Sequence, residues 1–196
     1  IVVASSPLAL AHLDLSGDGI RDLAVANDRA KNVAVLRGIA GGGFSAPRFH
    51  PVGTGASPRG EPQGLVAADL DGDGDTDLAT ANWSSNTVTL LRNPGTGLFL
   101  PRVNFALPGV NPGSIAATDF DADGDVDLTV VQQNSRNVVV LGNDGTAEFG
   151  YYMTVPGDCG NYGHVAADLD QDGDEDLIVT AWLSSTVLIL RNDPAL

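Results

Sequence analysis

Asp119-Phe120-Asp121-Ala122-Asp123-Gly124-Asp125-Val126-Asp127-Leu128 is one of four copies of a single acidic motif. The other copies begin at Asp14, Asp69 and Asp168, so the first aspartates lie 55, 50 and 49 residues apart. Carboxylates at positions 1, 3, 5 and 9 of a tight loop, with glycine at position 6 for the sharp turn, form an oxygen-rich cage. Calcium takes six to eight such oxygens, and position 7 adds a backbone carbonyl. The ligand sets expected are Asp69, Asp71, Asp73, Asp75 and Asp77; Asp119, Asp121, Asp123, Asp125 and Asp127; and Asp168, Asp170, Asp172, Asp174 and Asp176. The first loop offers Asp14, Ser16, Asp18, Ile20 and Asp22, and is the weakest because Ser16 replaces a carboxylate. About four calcium ions are expected, one per repeat. An EF-hand needs flanking helices and a Glu at position 12, where this chain has Val25, Thr80, Val130 and Val179. Magnesium fits less well, since it demands a stricter octahedron.

The same register extends beyond the loops. A short apolar segment precedes each one (Leu8–Ala11, Leu65–Ala68, Ile115–Ala117, Val165–Ala167). A second strand follows from Leu23, Leu78, Leu128 and Leu177, then a turn of constant length. A β-branched third strand ends at Leu36, Leu91, Leu141 and Leu190. Phe44, Phe99 and Phe149 each stand 30 residues after their motif's first Asp, ahead of a fourth strand. A four-stranded sheet of about 50 residues cannot bury both faces alone, so its neighbours must stack on it. The expected fold is all-β: a β-propeller of four four-stranded antiparallel blades, as a closed ring or part of a larger one. One domain, 1–196, holds repeats at approximately 8–55, 63–108, 113–157 and 162–196. Residues 1–7, with Ile1-Val2-Val3, are placed to complete the last blade. A β-sandwich is the structural alternative.

Composition narrows the function. The net charge is -15, and 18 of the 25 acidic residues are aspartates of the four motifs, so the acidity belongs to local sites. Four divalent ions bring the formal charge to -7. Lys31 is the sole lysine and no basic run exists, which argues against nucleic acid. No apolar stretch is long enough to span a membrane as a helix. Cys159, the lone cysteine, reads as an incidental or structural thiol. The chain begins at Ile1, inside a repeat, and reads as a trimmed product or part of a longer chain.

The chain resembles the FG-GAP/VCBS repeat family, which builds the seven-bladed propeller of integrin α subunits. The calcium motif between two strands carries the resemblance, together with Gly43-Phe44-Ser45-Ala46-Pro47, similar to the family's Phe-Gly…Gly-Ala-Pro signature. Phe99-Leu100-Pro101 and Phe149-Gly150 keep parts of it. The resemblance implies structural calcium, on the face opposite the usual ligand surface. Four repeats in place of seven leave a small ring, a section of a larger one, or two chains completing one.

The turns after the second strands fall on that opposite face, where the candidate ligand-binding residues are Trp83 and Trp182, at one repeat position, and Tyr162 and His164, in the last connection. Exposed Trp and Tyr stack on sugars or anchor proteins, whereas buried ones pack between sheets. His12 and His50 read as local packing or surface residues, and Asn82-Trp83-Ser84 is a formal glycosylation sequon. The leading expectation is a secreted or cell-surface module that binds a carbohydrate or protein and is held rigid by calcium. Extracellular calcium modules bind at about 10⁻⁴–10⁻³ M, which suits such surroundings. No catalytic residues are assigned, because no nucleophile–base pair appears. The alternatives are the propeller of a secreted carbohydrate- or lipid-active enzyme and a structural subunit of a surface assembly. A homodimer or a larger parent chain is compatible with each.

Overall fold

Strands alternate with tight turns throughout the computed structural model, which describes residues 1–54, 60–157 and 161–192. Cys159 lies outside the described residues. The first sheet contains β1 (Pro7–Leu13), β2 (Asp22–Asn27), β3 (Asn32–Leu36) and β4 (Arg48–Pro51). The second contains β5 (Pro62–Ala68), β6 (Asp77–Asn82), β7 (Thr87–Leu91) and β8 (Val103–Ala106). The third contains β9 (Pro112–Thr118), β10 (Asp127–Gln132), β11 (Asn137–Asn143) and β12 (Phe149–Pro156). The fourth contains β13 (Asn161–Ala167), β14 (Asp176–Ala181) and β15 (Thr186–Leu190). Within each sheet the strands are antiparallel neighbours in chain order. No described helix is long and apolar enough to cross a membrane.

The repeat is geometric as well as sequential. The turns after β2, β6, β10 and β14 end on Lys31, Asn86, Arg136 and Ser185, with φ of 55°, 55°, 55° and 56°. Strand alternation sends successive residues to opposite faces, so each sheet has a face toward the preceding sheet and one toward the following. Ala24, Val33 and Val35 of the first sheet meet Leu78 and Leu91 of the second. Ala79, Ala81, Val88 and Leu90 of the second meet Leu128, Val130, Val139 and Leu141 of the third. Val131, Val138 and Val140 then meet Leu177 and Val179 of the fourth. Aromatic pairs repeat at two junctions: His50–Phe99 with centroids 4.9 Å apart, and Phe105–Phe149 at 5.4 Å. A stack of four small sheets replaces the two-sheet sandwich.

Strands β1, β5, β9 and β13 are the innermost of their sheets and pack side by side. Small residues make that possible. A Cβ on Gly64 would lie 2.9 Å from the Gly113 carbonyl oxygen and 3.0 Å from Ile115 Cγ2.

Two expectations differ from the structure. The fourth sheet has three strands among the described residues. Residues 1–6 form no strand, and Val3 packs against Val25, Ala34 and Leu36 on the outer face of the first sheet. No core cluster joins the first and fourth sheets among the described residues. Leu8 and Leu10 are therefore exposed on the first sheet, as are Val165, Val187 and Ile189 on the fourth.

Val138 and Val187 occupy the same repeat position, one fully buried and the other 61% exposed. Val138→Ala is expected to cost about 1.5–3 kcal/mol in urea unfolding. Val187→Ala is expected to stay within about 0.5 kcal/mol. Equal costs would mean that the far face of the fourth sheet is covered in solution.

Candidate metal centres and the opposite face

Each acidic loop is shaped by its own aspartates before any cation is considered. The position-1 carboxylate accepts backbone N–H bonds from within the loop. Asp14 takes Gly17 and Gly19 at 2.8 and 2.7 Å, and Asp69 takes Gly72 and Gly74 at 2.9 Å each. Asp119 takes Gly124, and Asp168 takes Gln171 and Gly173. The position-5 carboxylate accepts the N–H of position 7: Asp18 from Ile20, Asp73 from Asp75, Asp123 from Asp125 and Asp172 from Asp174. Gly19, Gly74, Gly124 and Gly173 at position 6 have φ of 81°, 87°, 99° and 103°, where a side chain would strain the backbone.

The position-9 aspartates do a second job. Asp22, Asp77, Asp127 and Asp176 are buried, and both oxygens of each accept backbone N–H bonds. One comes from position 2 of the same loop: Leu15, Leu70, Phe120 or Leu169. The other comes from the residue shortly after the third strand: Gly38, Asn93, Asn143 or Asn192. Burial pushes the Asp77 carboxyl up to about 6 and raises Asp127 as well. Desolvation, then the neighbouring Asp73 and Asp123 charges, raise Asp71 and Asp121. Asp176 is instead lowered, first by the Asn192 N–H and further by Arg191.

In three loops the carboxylates converge. Asp69, Asp71 and Asp77 bring oxygens within 4.8 Å of one another, as do Asp119, Asp121 and Asp127, and Asp168, Asp170 and Asp172. Asp71 Oδ1 and Asp119 Oδ1 are buried with no hydrogen-bond partner, and so is Ser16 Oγ in the first loop. Orphaned anionic oxygens in a like-charged cluster fit a hard divalent cation, which satisfies them and cancels their repulsion. Among the described residues, Asp14, Asp18 and Asp22 of the first loop form no such three-carboxylate cluster, in keeping with Ser16. The position-5 carboxylates of Asp73 and Asp123 stand outside their clusters. Asp75 and Asp125 point away, against Gly95 and Gly145, leaving the position-7 carbonyl as their expected contribution. In the fourth loop Arg191 pairs with Asp170 at 2.5 Å and Asp176 at 2.8 Å, and the converging set there is Asp168, Asp170 and Asp172 without Asp176.

Asn93, Asn143 and Asn192 are functional residues that the motif itself does not flag. Each lies 24 residues after its loop's first aspartate, and that shared offset is their sequence signal. Beyond donating its N–H to position 9, each reaches the previous sheet. Asn93 Nδ2 donates to the Leu15 carbonyl at 2.9 Å, Asn143 Nδ2 to Leu70 at 2.9 Å and Asn192 Nδ2 to Phe120 at 2.6 Å.

The opposite face carries a different chemistry. Tyr162 is 62% exposed and Trp182 67%. The amino-terminal ends of the four inner strands surround a depression of about 300 Å³ lined by Ala9, Gln63, Ser114 and Tyr162 among others. Gln133 adjoins it, and also lines a second hollow with Asn134, Arg136, Trp182 and Leu183. Trp83 is half-buried, and its backbone is tied to Glu61 and Asn111. His164 is taken up by packing. Its ring nitrogens lie 2.8 Å from Thr129 Oγ1 and 3.0 Å from Ser114 Oγ, and burial depresses its pKa to about 4. It pins the fourth sheet to the third and leaves no ring nitrogen for a ligand.

Comparison with known proteins agrees with this arrangement. The FG-GAP-like repeat profile matches residues 14–80, 69–130 and 119–179. No curated protein sequence matches the chain. Among solved structures, an Agrocybe aegerita lectin that recognises non-reducing terminal N-acetylglucosamine is similar at 22% identity and a TM-score of 0.59, over 86% of this chain and 45% of the lectin chain. BBS1N, solved in complex with ARL6DN, is similar at 13% identity and a TM-score of 0.64, over 97% of this chain and 59% of its own. The V. cholerae biofilm matrix protein Bap1 gives 17% identity and 0.53, over 91% of this chain and 28% of its own. These likenesses concern the fold, and this chain spans less than two thirds of each neighbour.

Burial favours the protonated Asp77 in the metal-free protein. Its contribution to stability is thus present below the ordinary carboxylate range and lost as pH rises through about 6. A cation at the second loop takes the proton's place. Calcium affinity there is expected to fall by up to about tenfold per pH unit below that value. Calorimetric titration from about pH 7.5 to about pH 5 measures it. An affinity unchanged over that range contradicts Asp77 as a ligand.

Proposed function

The chain belongs to the FG-GAP-like repeat family, and from that premise we propose that it is a non-catalytic, calcium-stabilised extracellular binding module. Its ligand is a carbohydrate, held on the face opposite the acidic loops. The observation that carries this reading is the separation of chemistries. The three converging carboxylate clusters, with the unpartnered Asp71 and Asp119 oxygens among them, gather at one end of the sheets. Exposed Tyr162 and Trp182, with Gln63 and Gln133 close by, gather at the other. Flat aromatic surface beside neutral amides suits a sugar, whose ring presents an apolar face and a rim of hydroxyls. The likeness to a lectin and to a biofilm matrix protein supports a binding or adhesion role.

A protein ligand is the second reading, favoured by the likeness to BBS1N in its complex and by the anchoring power of exposed Trp and Tyr. The sheets act as propeller blades. The apolar outer faces of the first and fourth support a circle completed by closure of these four or by further blades.

Screening a glycan array in calcium, with N-acetylglucosamine-terminated glycans included, tests the proposal. Tyr162→Ala and Trp182→Ala are each expected to weaken a captured glycan by at least about tenfold. Neither should change the melting temperature appreciably, because both side chains are exposed. Absence of glycan capture by the calcium-loaded protein, or full binding by both variants, overturns the carbohydrate reading.

A further inference from the structure

We infer that the four acidic loops are not independent cation sites but are linked in series by Asn93, Asn143 and Asn192, so that filling one loop favours filling the next. This inference rests on the proposed reading that the loops hold calcium. Its basis is an unbroken run of hydrogen bonds across the loop-bearing face.

The run begins in the first loop, where Asp22 Oδ2 accepts the Leu15 N–H at 3.0 Å. The carbonyl of the same Leu15 accepts Asn93 Nδ2. The Asn93 N–H donates to Asp77 Oδ1 at 2.7 Å, and Asp77 Oδ2 accepts the Leu70 N–H at 3.1 Å. The Leu70 carbonyl accepts Asn143 Nδ2, whose residue donates its N–H to Asp127 Oδ1 at 2.8 Å. Asp127 Oδ2 holds the Phe120 N–H at 2.9 Å, and the Phe120 carbonyl accepts Asn192 Nδ2. The Asn192 N–H reaches Asp176 Oδ1 at 3.0 Å.

Two of the asparagines make further bonds to their own sheet. Asn93 Nδ2 also donates to the Thr76 carbonyl, and Asn93 Oδ1 accepts the Gly97 N–H. Asn143 does the same with Val126 and Ala147. The amide therefore holds the position-2 peptide of one loop while its backbone holds the position-9 carboxylate of the next. Asp77 and Asp127 belong to the converging clusters, so a cation that orders either one also orders the asparagine bonded to it. The asparagine then presents its amide to the preceding loop at no further entropic cost, which is how two sites share a coupling free energy.

The run has a direction and an end. The residue equivalent to the asparagines in the first repeat is Gly38, where a Cβ would lie 2.4 Å from the Arg21 carbonyl oxygen. Glycine donates its N–H to Asp22 but has no amide to extend to another loop.

Native mass spectrometry of the whole chain across a calcium titration tests the inference. The wild type is expected to pass from few to many bound ions with intermediates depleted below the statistical distribution. Asp121→Asn, which disables the third loop without touching the run, is expected to weaken the remaining sites by about fivefold or more. In an Asn143→Ala, Asn192→Ala background the same substitution should weaken them by less than about twofold, with circular dichroism confirming the strand signal. Statistical filling by the wild type overturns the coupling while leaving calcium binding intact. Coupling that survives loss of both amides overturns the assignment to the asparagines. No bound ions at all overturns the calcium reading itself.

Discussion

Position 2 of the first three acidic loops is buried between two sheets, and the structure depends on that insertion. Leu15, Leu70 and Phe120 stand next to aspartates, yet their side chains belong to the inter-sheet cores. A loop crowded with like charges is thereby anchored in the apolar contact that holds neighbouring sheets together. Carboxylates about 4 Å apart repel by roughly 1 kcal/mol in water and by up to about 4 kcal/mol at an effective dielectric of 20. Whatever relieves that repulsion steadies the core beneath it. Leu169 marks the contrast: among the described residues no core cluster lies on the far side of its sheet, and it is exposed.

Much of this was legible in the sequence, because a repeat multiplies weak signals. The period, the order of strands, the tight loop and the shared turn geometry all follow from residues at fixed offsets from four aspartates. The asparagines were harder to see. Their role depends on a carbonyl about 75 residues earlier in the chain (Leu15 for Asn93, Leu70 for Asn143). Asparagine also carries no charge that would mark it as part of a cation site. Position 9 is legible as a ligand but not as the acceptor of two backbone N–H groups.

The last connection shows the limit of local reading. Tyr162 and His164 lie two residues apart, and from the sequence both are candidate ligand contacts. A register shift between Asn161 and Gly163 interrupts the regular pairing of β13 with β14. Tyr162 then stands at the rim of the axial depression, while His164 turns into the junction with the third sheet. The ends of the stack differ for a similar reason. Val3 covers part of the first sheet's outer face instead of extending the fourth sheet, which keeps Val25, Ala34 and Leu36 from water.

Unfolding free energy measured against free calcium concentration tests most directly the claim that cations in the acidic loops hold the sheets together. Each loop kept at 100 times its dissociation constant should add about 2.7 kcal/mol, so stability should climb steadily with the logarithm of calcium and fall on chelation. Magnesium at the same concentrations should do much less. Stability indifferent to calcium, or raised equally by both ions, would contradict the claim and leave the four aspartate motifs as solvated turns.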